Sequence, residues 1–203
     1  FDLNKINLDN KKLYKSLSNE FRHPQGLFQI EAYTNFSVCK KIKPRNLEEL
    51  SAVVAIARPG ALEFADQYSE YVKTGDFQSV HPAFDKILDY TGGIPLYQEQ
   101  LMKMAVRVGF TLDEAEQLRR IVGKKKVDQM PAWKEKIFKK VEENKLTNAW
   151  SGHRGEEAAD VLWRVAEDSA NYSFNKSHSI AYATLAAWTT YLKYKYPKEF
   201  FLS

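Results

Sequence analysis

Apolar residues recur at helical spacing along nearly the whole chain. Leu50, Val53, Val54 and Ala57 fall on one helical face. Asn46, three residues before Glu49, forms the pattern of a capping box at the start of that helix, and Arg58-Pro59-Gly60 breaks it. Ala61 to Lys73 reads as a second helix stopped by Gly75, and Pro82 to Tyr90 as a third ended by Gly92-Gly93. Tyr97 to Val108 carries Leu101, Met104, Ala105 and Val108 on one face. Thr111 with Glu114 opens a helix through about Val122, with Ala115, Leu118 and Val122 as its stripe. Longer helices are expected over Asp128 to Asn144 and Glu156 to Tyr172, and the most apolar one over Ser179 to Tyr196, before Pro197. Only the first 45 residues allow extended structure, around Gly26-Leu27-Phe28-Gln29-Ile30. The expected fold class is all-α, a multi-helix domain with a short mixed N-terminal segment.

Composition narrows the class. At 203 residues, 44% apolar and 28% charged, the chain suits one large or two small globular domains rather than disorder, collagen or coiled coil. One cysteine, Cys39, excludes an internal disulfide and suits a reducing compartment, and four scattered histidines give no zinc-ligand spacing. The N-terminus lacks a secretory pattern, and the run Ile180 to Leu192 is shorter than the ~17–25 residues of a membrane span. No membrane role is expected. Without an initiator Met, and ending at Phe200-Phe201-Leu202-Ser203, the chain reads as a segment of something longer.

Charge is unevenly spread. Gln117 to Lys140 holds nine basic residues against two acidic ones, whereas the remainder holds 21 against 24. Concentrated basic charge suits a surface that meets phosphates. Lys134 to Lys140 reads best as a solvated helix face. Arg119, Arg120, Lys124, Lys125 and Lys126 surround Gly123 with no acidic residue between them, and favour phosphate binding. Arg120 and Lys124 share a face if the helix continues past Gly123. Guanidinium groups bind phosphate oxygens bidentately, and lysines add mobile point charge.

A second polar cluster, Phe174-Asn175-Lys176-Ser177-His178, separates two apolar helices. It reads either as a turn capped by Ser177 or Asn175, or as a site for an anion or a base. Trp163, Tyr182, Trp188 and Tyr191 stand at helical spacing among Ala and Leu and are assigned to packing. No local nucleophile signature, Gly-rich phosphate loop or Asp-x-Asp pair occurs. The residues alone therefore point to binding, with no catalytic or metal-ligating residue in this segment.

Ordered together, these pieces resemble the fingers region of the bacterial family C replicative DNA polymerases, the DNA polymerase III alpha subunits. Phe28-Gln29-Ile30-Glu31 resembles the family's Phe-Gln-Leu-Glu-Ser, and Ala55-Ile56-Ala57-Arg58-Pro59-Gly60 its Ala-Leu-x-Arg-Pro-Gly-Pro. Thr91-Gly92-Gly93-Ile94 with Tyr97-Gln98-Glu99-Gln100 resembles Thr-Tyr-Gly-Val leading into Tyr-Gln-Glu-Gln. Leu118-Arg119-Arg120-Ile121-Val122-Gly123-Lys124-Lys125 is similar to Leu-Arg-Arg-Ala-Met-Gly-Lys-Lys, and Tyr172-Ser173-Phe174-Asn175-Lys176-Ser177-His178 to Tyr-Gly-Phe-Asn-Lys-Ser-His. Tyr191-Leu192-Lys193 and Tyr196-Pro197 complete a series covering about Asp9 to Phe201. Ala32, Ala61, Gly92 and Ser173 depart from the family's Ser, Pro, Tyr and Gly, while the basic motifs are intact. The pattern suggests a divergent or phage-like member. Asn148 to Gly155 matches nothing in the family.

The resemblance implies a DNA-directed DNA polymerase, with residues 1–45 connecting palm to fingers and 46–203 forming the helical fingers. Arg119, Arg120 and Lys124, with Asn175, Lys176 and His178, would meet the incoming dNTP. Arg58, Gln98, Gln100, Lys125 and Lys126 would meet primer–template DNA. Magnesium would be held by palm aspartates upstream of this segment, which alone would be inactive. The palm of the same polymerase would be a direct partner, and the sliding clamp and replisome subunits would bind through other regions, in the cytoplasm of a bacterial or phage-infected cell. The alternative is a non-catalytic helical nucleic-acid-binding module, a degenerate or split relative.

Overall fold

The computed structural model describes residues 1–144 and 155–202, which hold eleven α-helices joined by turns, short 3₁₀ helices and a π-helical turn at Ser16–Glu20. Among the described residues no strand forms, and the all-α expectation holds. Contacts divide the chain into two compact units, Phe1–Gly75 with Lys176–Ser203, and Asp76–Asn175.

The first unit contains α1 (Lys11–Lys15), α2 (Tyr33–Ile42), α3 (Leu47–Ile56), α4 (Ala65–Thr74), α10 (Lys176–Lys195) and α11 (Pro197–Leu202). Asn46 starts α3 by accepting the Glu49 N–H at 2.8 Å. Every residue from Glu49 to Ile56 is then buried, with α10 packed against α3. The face that α10 buries is small from Ser179 through Ala183, Ala186, Ala187 and Thr190, with Lys193 buried near its end. Small side chains permit a short interaxial distance. At that seam Ser51 Oγ donates to Ser179 Oγ at 3.0 Å, and Ser179 Oγ donates to the Ser51 carbonyl at 2.6 Å. Two buried hydroxyls thus satisfy each other across residues far apart in sequence. This pairing draws the C-terminal helix into the N-terminal unit.

One expectation is corrected here. Residues 24–31 form successive turns instead of extended structure: the Ile30 and Glu31 N–H groups both donate to the Leu27 carbonyl. Leu27 and Ile30 are fully buried whereas Phe28 is exposed. A strand would have put Phe28 and Ile30 on one face, so the three-residue spacing of Leu27 and Ile30 decides for turns. Helix α2 packs on α3 within the first unit. Helix α2 has no side-chain cap, so no start signal announced it; it is held through buried Val38, Cys39 and Ile42.

The second unit contains α5 (Asp85–Leu88), α6 (Gln98–Arg107), α7 (Leu112–Gly123), α8 (Met130–Glu143) and α9 (Gly155–Tyr172). Leu101, Met104, Leu118, Val122, Ile137 and Leu162 form the centre of its core. The capping box expected at Thr111 is complete: Glu114 N–H reaches Thr111 Oγ1 at 3.2 Å, and Thr111 N–H reaches Glu114 Oε1 at 3.1 Å. Gly109 turns α6 into α7 at φ 114°, and a Cβ there would overlap the Asn144 amide. That amide donates to the carbonyls of Lys140 and Val108, tying α8 to the turn. Of the unmatched stretch Asn148 to Gly155, residues 148–154 lie outside the described residues and Gly155 begins α9. Among the described residues no helix is long and apolar enough to cross a membrane.

Candidate nucleic-acid interface

Helix α7 carries the basic motif in the second unit. Its apolar stripe, Ala115, Leu118 and Val122, is buried, which leaves Arg119 half-buried at the edge and Arg120 exposed. Both guanidinium groups turn to one carboxylate. Arg119 donates to Glu116 through Nε at 2.9 Å and Nη2 at 2.5 Å, and Arg120 Nε donates to the same residue at 3.2 Å. The hydrogen bonds from Arg119, then those from Arg120, pull the Glu116 carboxyl down to about 2. The same bonds raise the Arg119 pKa. Glu116 has no counterpart among the sequence expectations, although Glu with arginines three and four residues later is the spacing of helical ion pairs. Arg119 Nη1 also reaches Gln98 Oε1 at 3.4 Å, linking α7 to the first residue of α6.

Helix α7 ends at Gly123, close to the expected end at about Val122, with Lys124 as its cap. Lys125 N–H donates to the Val122 carbonyl and Lys126 N–H to the Ile121 carbonyl, both at 3.1 Å, with Lys125 left-handed at φ 51°. That is a Schellman ending with lysine in the position glycine usually takes. Gly123 is helical, so Arg120 and Lys124 do share a face. Together with Lys126, Gln117, Ile121 and Gln129 they line an open cleft of about 250 Å³. Among the described residues, none that lines it is acidic. By contrast, three lysines of α8 lie over rings of their own unit: Lys136 over Trp133 at 4.7 Å, Lys134 over Trp163 at 5.8 Å and Lys140 over Phe110 at 5.9 Å. Their stems cover apolar surface, in keeping with a solvated helix face.

The start of α6 is held against the second polar motif. Phe174 N–H donates to the Leu96 carbonyl at 3.1 Å, and Gln98 N–H donates to the Phe174 carbonyl at 3.0 Å. Gln98, Arg119, Arg120, Lys124, Lys125, Lys126 and Asn175 therefore belong to one unit. Gln100, expected on the DNA surface, is fully buried. Its Oε1 accepts from the Leu96 and Tyr97 N–H groups at 2.9 Å each, and its Nε2 donates to Thr91 Oγ1 at 2.8 Å. With its polar atoms engaged inside, it braces the helix start and cannot meet DNA.

Lys176, His178 and Arg58 belong to the other unit. Lys176 pairs with Glu48 at 3.0 Å, in the first turn of α3. His178 is exposed, and its ring lies 6.2 Å from that of Tyr182, which in turn lies 6.0 Å from that of Phe28. Tyr182 and Phe28 thus continue from the histidine as an aromatic row open to solvent. Arg58 is exposed in the turn after α3, its carbonyl accepting from Ala61 and Leu62. Among the described residues no three His, Cys, Asp or Glu side chains gather to hold a metal ion.

Comparison with known proteins points the same way. A family model for the bacterial DNA polymerase III alpha subunit finger domain matches residues 1–145. The chain is 37% identical over 206 residues to the DNA polymerase III subunit alpha of Thermus aquaticus, covering 98% of this chain and 16% of that protein. It is 38% identical over 199 residues to that of Aquifex aeolicus, covering 96% of this chain and 16% of the relative. Against the Streptococcus pyogenes subunit, identity is 37% over 182 residues, with 87% and 16% covered. The chain thus spans about a sixth of the length of these relatives. By the match over residues 1–145, it belongs to the bacterial DNA polymerase III alpha subunit finger domain family.

Proposed function

We propose that this segment handles the incoming dNTP and the primer–template in a replicative DNA-directed DNA polymerase. The observation that carries the reading is the cleft of Arg120, Lys124 and Lys126, beside an Arg119 whose plane is fixed by Glu116. A triphosphate carries several negative charges within a few ångströms, and a cleft with converging cations matches it. Oriented guanidinium groups would hold the phosphates in line and offset the charge that builds on the leaving pyrophosphate. Asn175, Lys176 and His178 would complete the nucleotide contacts. Arg58, Gln98, Lys125 and Lys126 would meet DNA phosphates.

Magnesium would be held by palm aspartates elsewhere in the polymerase and would supply charge neutralisation at the reacting phosphate. The palm, sliding clamp and replisome subunits would be partners of the whole protein, and cytoplasmic replication its setting. A split or degenerate DNA-binding module is the less favoured reading, because similarity to polymerase alpha subunits runs through 98% of the chain. The test is Arg120→Ala in the full polymerase. The KM for dNTP should rise about tenfold or more while the primer–template Kd stays within about twofold. Unchanged nucleotide dependence would sink the assignment.

A further inference from the structure

Three hydrogen bonds hold the Arg119 guanidinium, and two of them stay within its own helix. Nε and Nη2 donate to Glu116 at 2.9 and 2.5 Å, and both residues belong to α7. Those two bonds fix the guanidinium relative to α7 alone. The third, from Nη1 to Gln98 Oε1 at 3.4 Å, refers it to a different helix, α6. We propose that Gln98 is a positioning residue for nucleotide addition, setting Arg119 against the segment that carries Phe174 and Asn175. The inference rests on the polymerase reading above and deepens it by a residue that acts through Arg119.

Gln98 is anchored well enough for that task. It is the first residue of α6, and its N–H donates to the Phe174 carbonyl at 3.0 Å, while the Phe174 N–H donates to the Leu96 carbonyl at 3.1 Å. Next to Phe174 stands Asn175, which the polymerase reading places at the nucleotide. Behind the helix start, buried Gln100 accepts from the Leu96 and Tyr97 N–H groups at 2.9 Å each. The Gln98 backbone therefore has little freedom, and its half-buried side chain leaves from a fixed point. Across from it, Arg119 and Gly123 are four residues apart, on one face of α7. A Cβ at Gly123 would stand 3.8 Å from Gln98 Nε2, so the amide lies along that face. Every one of these residues falls in the second unit.

A guanidinium has five N–H donors. Glu116 and Gln98 take three, on Nε, Nη1 and Nη2, which leaves one on each terminal nitrogen for phosphate oxygens. Where that pair points depends on the guanidinium plane, and in-line transfer tolerates little misplacement. The two acceptors differ in charge. Glu116 subtracts from the attraction for a triphosphate, whereas an amide oxygen is neutral and orients the arginine without cancelling it. Losing Gln98 should therefore cost rate rather than affinity. At 3.4 Å the bond is long, as contacts in catalytic arrangements commonly are before substrate tightens them. The DNA contact proposed above would use the other end of the amide, Nε2.

The experiment measures single-turnover dNTP incorporation by the complete polymerase at saturating primer–template, so that a change in DNA affinity does not enter. Gln98→Met keeps the length and the helix propensity but leaves only a weakly accepting sulfur. Its maximum rate should fall about three- to tenfold, with the apparent dNTP Kd within about twofold of wild type. Gln98→Glu keeps an acceptor for Nη1 but adds a negative charge. It should retain the rate to within about threefold while the apparent dNTP Kd rises about three- to tenfold.

The decisive comparison is a double-mutant cycle with Arg119→Ala. Arg119→Ala alone should lower the rate about tenfold or more, and adding Gln98→Met should change it by less than about twofold, because Gln98 acts only through the guanidinium. A residue that merely packed α6 against α7 would lower the rate by the same factor in both backgrounds, and that additive result would overturn the inference. So would a Gln98→Met enzyme with the wild-type rate, or one that loses affinity and keeps its rate. Should Gln98→Met fail to fold, Gln98→Glu decides: a fall in rate with unchanged Kd there would overturn the inference. A silent Arg119→Ala refutes the placement of Arg119 at the nucleotide, and the inference with it, whereas a rate loss in Arg119→Ala with an additive cycle refutes the inference alone.

Discussion

Glu116 lies one helical turn before Arg119 and accepts two hydrogen bonds from it, at 2.9 and 2.5 Å, while also accepting one from Arg120. The two cations that the proposed function assigns to the triphosphate are therefore aimed by a carboxylate that also competes for them. With its carboxyl pulled down to about 2, Glu116 stays ionised at any pH where a polymerase works. Glu116→Gln should keep the helix but free the guanidinium planes and raise the local charge by one. We expect the KM for dNTP to fall about two- to fivefold and kcat to fall about tenfold, because affinity for phosphate gains while orientation is lost. Steady-state kinetics of the full polymerase check this; an unchanged kcat would mean that Glu116 aims nothing.

Gln100 makes a contrasting prediction, of stability rather than chemistry. Its amide satisfies the Leu96 and Tyr97 N–H groups and Thr91 Oγ1 inside the second unit. Gln100→Leu keeps the volume but strands the Leu96 and Tyr97 N–H donors away from water and leaves Thr91 Oγ1 without the N–H it accepts. The expected loss is about 2–4 kcal/mol, since each unsatisfied buried polar group costs about 1–3 kcal/mol. Denaturant unfolding of the wild type and variant measures it. A loss under about 0.5 kcal/mol, within the range of ordinary surface substitutions, would mean that water reaches the helix start.

The contrast between these residues shows what the sequence could reveal. Helical spacing and the Thr111–Glu114 box located α6 to α9 closely, because local hydrogen bonds and one apolar face suffice to define them. Gln98 and Gln100 are both polar and two residues apart, yet one sits beside Arg119 and the other is sealed in the core. Nothing local distinguishes them; the difference arises where Gln100 meets Thr91, in the loop that closes over it. Helix α2 was illegible for a related reason, lacking a capping side chain and showing only Val38, Cys39 and Ile42 as an apolar face. Glu116 was legible in principle, because it stands three and four residues before Arg119 and Arg120.

Lys125 gives a third prediction. Its φ of 51° places a Cβ-bearing residue where the Schellman ending of α7 favours glycine. Lys125→Gly should stabilise the protein by about 0.5–1 kcal/mol, while Lys125→Ala should not, because alanine keeps the crowded Cβ. Both variants should weaken DNA binding alike, since both remove the charge. Urea unfolding with DNA titration checks the pair, and stabilisation by alanine as large as by glycine would refute the steric account.

The first unit should be sensitive to alkali in a way that named groups control. Cys39 is fully buried, and burial pushes its thiol up from 9.0 to about 12, against a small opposing effect of Lys40. Burial, then the charges of Asp9 and Glu49, also raise Tyr14, whose hydroxyl donates to the Leu8 carbonyl at 2.5 Å. Each group keeps its proton in the folded state at a pH where the unfolded chain has lost it. The folded state then binds more protons, so stability is present below the ordinary pKa and lost as pH rises above it. For Cys39 that window runs from 9.0 to about 12, with a slope approaching about 1.4 kcal/mol per pH unit. Lys193 acts in the opposite sense: burial lowers its pKa, so the folded state sheds its proton first and stability is gained as pH rises toward 10.5. Its ammonium donates to the His23 and Gln25 carbonyls at 2.8 and 2.9 Å, and removing it would disturb that loop. Cys39→Ala is therefore the cleaner probe. Unfolding free energies measured from about pH 8 to 11 should fall less steeply in this variant than in wild type, with the two slopes converging below pH 9 where the thiol is protonated in both states. A thiol reagent at pH 8 should leave native Cys39 unmodified and react fully once the chain is unfolded, since the thiolate is the nucleophile. Equal alkaline slopes, together with rapid native labelling, would show that Cys39 is not sealed in the core.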